Sequence, residues 1–389
     1  MKILIAPDSF KGSVTAIEAA LSIEKGIINA FPHAETKLIP MADGGEGTME
    51  NLITSTAGHK VAVTVTGPLG KPIEAFFGVL GDNETCIIEM ASASGLDLIS
   101  PSERDPLTAT TFGTGELIKR ALDDGYRKFV LAIGGSATND GGVGMLQALG
   151  IQIIDKSGNE IGFGGGALSQ IHEVRMDHFD KRISESHFLI ASDVENPLVG
   201  DNGASHVFGP QKGATDEIVQ ILDQNLTHWA NVVEQVTGIR LHDMPGAGAA
   251  GGIGGAFQAF FPSTMKRGID VVIQYSKFVD HLEDVDLVIT GEGQVDFQTA
   301  FGKTPMGVAQ TARKLNIPTI VIAGSVGKGI QTLYQFGVIG VFSIINRPLR
   351  LEDAMQETKK LLEHTAEQVC RTYFFNRQGE KRNEDQASN

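Results

Sequence analysis

Short apolar runs alternate with amphipathic stretches along most of the chain. The runs at residues 2–6, 128–133 and 287–290 have the length and β-branched composition of strands buried on both faces of a parallel sheet. The intervening stretches carry apolar residues three and four positions apart, which predicts helices, for example over 216–236 and 351–374. This alternation predicts an α/β fold with parallel sheets.

The pattern changes after residue 60. Two alternating stretches flank Pro68, Leu69 and Gly70 and predict a β-hairpin, which is typical of a different layer. We therefore predict one α/β domain interrupted by another. The first domain is predicted to contain residues 1–60 and 268–375, and the inserted domain residues 61–267. Residues 270–274 are predicted to form a strand of the first domain. Residues 376–389 are predicted to form a disordered, charged tail.

Composition narrows the class of protein. A length of 389 residues favours two domains, and the net charge of -15 argues against nucleic acid as a partner. Cys86 and Cys370 are the only cysteines and form neither a disulfide framework nor a zinc motif, which indicates a reducing cytosol. No apolar run approaches the length of a signal peptide or a membrane span. We expect a cytoplasmic protein, as a monomer or small homo-oligomer.

Polar, glycine-rich loops follow the predicted strands. Ligands of open α/β sheets bind at the carboxyl ends of strands, often at the start of a helix. The candidate residues at these ends are Asp8, Ser9, Lys11, Asp43, Gly44, Gly45, Asp193, Asp296, Thr299, Gly302 and Lys303. Carboxylates beside lysines and glycines at strand ends suit an anionic substrate together with a metal ion.

The loop at residues 134–142, Gly-Gly-Ser-Ala-Thr-Asn-Asp-Gly-Gly, is a second candidate anion site. Consecutive small residues allow backbone N–H groups to converge on an anion, and a helix is predicted to follow. The loop matches neither the P-loop nor the dinucleotide fingerprint. The alternative interpretation is a tight turn between a strand and a helix.

Together these loops suggest phosphoryl transfer. That reaction needs positive charge around the transferred group, Mg²⁺ bridging its oxygens, and a carboxylate that takes the hydroxyl proton. Loops from two domains would form a cleft whose closure excludes water. The residues alone do not identify the acceptor.

Five motifs, in order and spacing, resemble the bacterial glycerate kinase family. They are PDSFKGS, MADGGEGT, AIGGSATNDGG, ASDVENPL followed by GDNGASHVFGPQKGA, and TGEGQVDFQTAFGKTPMGVA. The resemblance covers the chain to about Gly329. It implies a Rossmann-like parallel-sheet domain interrupted by a second, distinct α/β domain, with the active site in the cleft between them.

The resemblance also implies ATP-dependent, Mg²⁺-assisted phosphorylation of D-glycerate, usually to 2-phosphoglycerate, in glyoxylate or glucarate catabolism. Asp193 and Asp296 are the expected general base and Mg²⁺ ligand, in either order, and Lys303 is the expected catalytic cation. The expected substrate or phosphate contacts are Asp8, Ser9, Lys11, Asp43, Gly44, Gly45, Gly134, Gly135, Ser136, Thr138, Asn139, Asp140, Thr299 and Gly302.

Several alternatives stay open at this point. Formation of 3-phosphoglycerate, another small hydroxy-acid substrate, and a non-enzymatic hydroxy-acid-binding protein all fit two α/β domains around a cleft. A ribokinase-type enzyme is disfavoured because Ala249 follows Gly246-Ala247-Gly248, where that class carries an aspartate. A dehydrogenase is disfavoured because no strand precedes these glycines.

Overall fold

The computed structural model describes residues 1–375, and the predicted tail at 376–389 lies outside them. The strands are β1 (Lys2–Pro7), β2 (Glu35–Leu38), β3 (His59–Thr66), β4 (Pro72–Val79), β5 (Thr85–Glu89), β6 (Lys128–Ala132), β7 (Gln152–Ile154), β8 (Glu173–Arg175), β9 (His187–Ala191), β10 (Ser263–Lys266), β11 (Leu287–Val295), β12 (Thr319–Val326) and β13 (Val338–Ser343). The α-helices are α1 (Ala16–Ala30), α2 (Thr48–Thr56), α3 (Ala91–Ser94), α4 (Phe112–Asp123), α5 (Val143–Ala148), α6 (Ala204–Phe208), α7 (Asp216–Thr237), α8 (Ile253–Phe260), α9 (Gly268–Tyr275), α10 (Thr304–Arg313) and α11 (Leu351–Tyr373).

Two compact units make up the chain. Among the described residues, unit 1 contains Met1–Asp43 and residues 269–375, and unit 2 contains Gly44–Gly268. The first boundary lies earlier than the predicted division after residue 60. The reason is that α2 packs on β4 and β5 of unit 2, where the Met49 N–H donates a 2.7 Å hydrogen bond to Glu89.

Unit 1 has a five-stranded parallel sheet in the order β13-β12-β11-β1-β2. Helices α1 and α11 bury their apolar residues against one face, and α10 packs on the other face. This is the doubly wound arrangement that the resemblance implied. The chain leaves β1 towards β2 on one side, whereas β11 begins the other half of the sheet. The carboxyl ends of β1 and β11 are therefore a topological switch point, where doubly wound sheets bind ligands.

Unit 2 has a mixed six-stranded sheet in the order β10-β9-β6-β5-β4-β3. Strands β10, β9, β6 and β5 are parallel, and the predicted hairpin is confirmed as the antiparallel pair β3 and β4. A separate antiparallel pair is formed by β7 and β8. The only tryptophan, Trp229 of α7, is fully buried in the core of this unit.

The predicted strand at 270–274 is wrong, because these residues lie in α9. Ile269, Val271 and Val272 are all fully buried. A short apolar run is compatible with a buried strand or a buried helix turn, and periodicity does not separate the two. Within residues 1–375, no helix combines the length and apolarity needed to cross a membrane.

We predict that Gly26→Ala destabilises the protein by about 1–3 kcal/mol, the usual cost of overpacking. Gly26 lies in α1 where it meets α11, and an added Cβ would overlap the carbonyl oxygen of Glu363. Urea or thermal unfolding measures the change. Gly162→Ala is the control, since Gly162 is exposed and a Cβ there would meet nothing within 4 Å. Equal stability of both variants would contradict the close packing of α1 on α11.

Candidate active site

Two carboxylates lie at the switch point of unit 1. Asp8 directly follows β1, and Glu292 lies in β11, where Pro7 pairs with Gly291 in parallel register. The Asp8 N–H donates to the Gly291 carbonyl at 2.8 Å, which ties the two strand ends together. Both carboxylates are buried.

Asp8 is held by the helix that follows the loop. The Thr304 hydroxyl, in the first residue of α10, donates to Asp8 Oδ2 at 2.5 Å, and the Ser9 N–H donates to Oδ1 at 2.6 Å. Burial, followed by repulsion from Asp43, raises the pKa of Asp8 to about 7 despite these hydrogen bonds. Asp8 is thus a carboxyl group that changes charge near neutral pH.

Glu292 has its own two partners. The buried Thr299 hydroxyl donates to Oε1 at 2.9 Å, and Lys303 Nζ lies 3.8 Å from Oε2. Burial raises the pKa of Glu292 to about 7, and repulsion from Asp43 and Asp296 adds to this, whereas Lys303 and Thr299 oppose it. Paired carboxylates with raised pKa values are typical of sites that bind cations or move protons.

The loop after β11 carries the remaining predicted residues of unit 1. The Thr299 hydroxyl accepts a 3.2 Å hydrogen bond from the Asp296 N–H, so one threonine orders both the loop and Glu292. Gly302 has φ +124, a backbone angle that favours glycine, and it leads into Lys303 at the start of α10. The Lys303 side chain is 38% exposed, which leaves its ammonium open to an anion. Pro305 follows in the first turn of α10.

Lys11 is exposed and less constrained. A Cβ on Gly293 would lie 3.4 Å from the Lys11 N, so the backbone of the first loop passes beside the end of β11. Unit 1 therefore brings together the predicted residues Asp8, Ser9, Lys11, Asp43, Asp296, Thr299, Gly302 and Lys303.

Two predicted glycine loops, at Gly44–Gly45 and at residues 134–142, lie against each other in unit 2. A Cβ on Gly134 would lie 3.0 Å from the Gly45 Cα, and one on Gly44 would lie 2.9 Å from the Gly268 Cα. Side chains at these positions would separate the loops. Asp193 follows β9 nearby, is exposed, and accepts a 3.1 Å hydrogen bond from the Gly268 N–H.

Asp140 is fully engaged within the protein. Its carboxylate accepts hydrogen bonds from the Thr111 N–H and hydroxyl, both at 2.8 Å, and from the Gly142 and Gly144 N–H groups at 3.1 and 3.3 Å. Burial raises the pKa of Asp140, and these hydrogen bonds oppose the rise. Its contacts join the loop at 134–142 to the N-termini of α4 and α5, and its predicted contact with the substrate stays a prediction.

Four residues of these sites are absent from the predicted set: Glu292, Thr304, Glu89 and Lys212. Glu292 and Thr304 stand within the loop motif that carries Asp296 and Lys303, which was the available signal. Glu89 ends β5, and burial raises its pKa to about 7. Lys212 is buried under the loop at 134–142, and only its place in the motif GPQKG pointed to it.

No group of three histidine, cysteine, aspartate or glutamate side chains in residues 1–375 is arranged to hold a metal ion. The predicted metal ligands Asp193 and Asp296 therefore stay predictions.

Comparison with known proteins identifies the family. The profile of the glycerate kinase family matches residues 3–374. The chain is 49% identical over 370 residues to the glycerate kinase of Bacillus subtilis (strain 168), which covers 95% of this chain and 97% of that protein. It is 48% identical over 356 residues to the glycerate 2-kinase of Escherichia coli (strain K12), covering 92% and 93%.

A solved structure has the same fold. The crystal structure of a candidate glycerate kinase 2 from Salmonella typhimurium LT2 matches with a TM-score of 0.87 and 46% identity, covering 97% of this chain and 99% of that one. The match along nearly the whole chain confirms the resemblance carried by the five motifs. The chain belongs to the glycerate kinase family and is a kinase.

Proposed function

We propose that the enzyme transfers the γ-phosphoryl group of ATP to the 2-hydroxyl of D-glycerate, in the cytoplasm and in catabolism of glyoxylate, glucarate or related acids. The observation that carries the chemistry is the pair of buried carboxylates, Asp8 and Glu292, at the switch point beside Lys303. The 2-hydroxyl is supported by the name of the Escherichia coli relative, a glycerate 2-kinase. Two free, buried thiols support a reducing compartment.

The residues of unit 1 fit Mg²⁺. Magnesium prefers oxygen ligands and binds through one or two carboxylates plus substrate phosphates and water, so a site of three protein ligands is not required. Glu292 and Asp296 would hold it, and Asp193 keeps its predicted place as the alternative ligand. Mutual repulsion contributes to the raised pKa of Glu292, and a bound cation would relieve that repulsion. The ion would supply positive charge that neutralises the phosphate oxygens.

Protein side chains and backbone groups would bind the phosphate and accept the proton of the hydroxyl. Lys303 and the N–H groups at the start of α10 would bind phosphate oxygens, since a lysine and a helix N-terminus both favour negative charge. A general base works best with a pKa near the operating pH. Asp193 and Asp296 keep their predicted roles, and Asp8 joins them as a proton acceptor because its pKa is about 7.

The assay is ATP consumption with Mg²⁺ and D-glycerate, with enolase added and no phosphoglycerate mutase. We expect glycerate-dependent ADP formation and direct appearance of phosphoenolpyruvate, because enolase accepts the 2-phosphate. ADP without phosphoenolpyruvate would indicate the 3-hydroxyl. ADP formed only with another hydroxy acid would reassign the substrate. Saturable glycerate binding without ADP would remove glycerate as the phosphoryl acceptor.

Asp193→Asn and Asp296→Asn are expected to lower kcat by about 10²–10⁴-fold, the usual contribution of proton transfer, while ATP binding is retained. Asparagine keeps the shape and removes the charge and basicity. Steady-state kinetics and ATP titration separate the two effects. Asp201→Asn is the control, since Asp201 lies on an exposed turn. Near-normal kcat in both variants would rule out the assigned roles.

Asp8→Asn is expected to raise the melting temperature of the protein. In EDTA, the increase should be larger at pH 8 than at pH 5. The raised pKa of about 7 means that the folded protein holds a proton on Asp8 between about pH 4 and 7 that the unfolded chain has released. Wild-type stability therefore falls as pH rises through this window, whereas asparagine stays neutral. An equal shift at both pH values would contradict the buried charge.

A further inference from the structure

Lys212 is one of the largest fully buried side chains of the protein, with 1% of its surface exposed. It ends the 3₁₀ turn Pro210–Lys212, and Gly213 follows with φ +96. Its Nζ donates to the Ser136 hydroxyl at 2.8 Å and to the Thr138 carbonyl at 2.6 Å. A lysine is rarely buried in this way unless its charge has partners.

Asp140 is the ionisable group that interacts with this amine. Attraction to Asp140 raises the pKa of Lys212, but burial outweighs it and lowers the pKa to about 7. A second charged group lies nearby: the Arg104 guanidinium donates a 3.4 Å hydrogen bond to the carbonyl of Gln211, the residue before Lys212. The free protein therefore holds an amine that gains or loses its charge near neutral pH.

The loop that covers Lys212 contains two buried side-chain oxygens that form no hydrogen bond with the described residues. Thr138 Oγ1 and Asn139 Oδ1 are buried, and neither has a hydrogen-bond partner within residues 1–375. Asn139 Nδ2 is already engaged, donating to the Ser205 hydroxyl at 2.9 Å. A buried hydroxyl without a partner costs about 1–3 kcal/mol, so a native loop that keeps one is expected to use it with a ligand.

Close backbone packing fixes this loop. A Cβ on Gly251 would overlap the Thr138 carbonyl, and the Gly141 N–H donates to the Gly251 carbonyl at 3.0 Å. Trp229 Nε1 donates to the Gly141 carbonyl at 3.1 Å. These contacts hold the loop against Lys212, and the single tryptophan lies in contact with it.

We propose that Lys212 is a positioning residue that holds Ser136 and Thr138 around an oxyanion of the substrates, and that the bound oxyanion keeps Lys212 protonated. The oxyanion is the carboxylate of the hydroxy acid or a phosphate of the nucleotide. The inference rests on the proposed function, because it places the loop at 134–142 in the substrate site.

Binding to this loop should depend on pH in a defined direction. The amine of the free protein loses its proton as pH rises through about 7. A nearby negative charge favours the ammonium form, so binding above pH 7 takes up a proton. Oxyanion affinity should fall by up to about 10-fold per pH unit above 7, since only the protonated fraction binds well.

The experiment titrates D-glycerate and, separately, inorganic phosphate into the full chain, with Trp229 fluorescence as the readout, from pH 6 to 9. Lys212→Met should weaken binding of one probe at least about 10-fold, the cost of losing a charged hydrogen-bond donor. Lys212→Arg keeps the charge and should bind with little pH dependence. Lys156→Met, at an exposed turn, is the control.

Kinetics identify the source of the oxyanion. A KM that rises in Lys212→Met for D-glycerate alone indicates the carboxylate, and one that rises for ATP alone indicates the phosphate. Unchanged affinity, unchanged KM values and an unchanged pH profile in Lys212→Met would overturn the proposal. If neither variant folds, wild-type affinity that does not fall above pH 7 overturns it.

The two proposals fail separately. Wild-type protein that binds an oxyanion through Lys212 but forms no ADP with glycerate would refute the proposed function only. An active glycerate kinase whose Lys212→Met variant is unaffected would refute the role of Lys212 only.

Discussion

The pairing of β1 with β11 places two carboxylates side by side in a buried position, and much of unit 1 serves to hold them there. Asp8 and Glu292 lie at adjacent strand ends, where burial and like charge both oppose ionisation. Thr304, Thr299 and Lys303 each give one of them a partner. Thr299 and Lys303 lie in the segment that connects β11 to α10, and Thr304 is the first residue of α10. The geometry of this connection therefore sets the charge state of the site.

Unit 2 also buries ionisable groups, and one of them is an amine rather than a carboxylate. Lys212 is a buried base whose pKa is lowered, and Asp140 is a buried acid held by four donors. The loop at 134–142 lies between their contacts and has a polar interior. Burying either group does not by itself stabilise the core, because removing water from a charge costs free energy unless hydrogen-bond or ionic partners replace the water.

The sequence was informative where the signal is local. Strand ends followed by glycines and carboxylates predicted the loops at Asp8, Gly134 and Asp296, because the polarity of a parallel sheet forces its strand ends to one edge. The helical character of 268–275 and the placement of α2 in unit 2 depend on packing partners far along the chain. Lys212 was missed for the same reason. Its pattern looks like an exposed turn, and only the fold shows that Ser136 and Thr138 cover it.

The parallel register of Pro7 with Gly291 also has a consequence for synthesis. Strand β1 lies between β11 and β2 in the unit 1 sheet, and its neighbour β11 is synthesised more than 280 residues after it. At typical elongation rates of about 5–20 residues per second, this interval is roughly 15–60 s. The contiguous unit 2 is complete before then. Strand β1 thus spends that interval without β11 at one edge, and β2 and α1 are the neighbouring elements of unit 1 that are already synthesised.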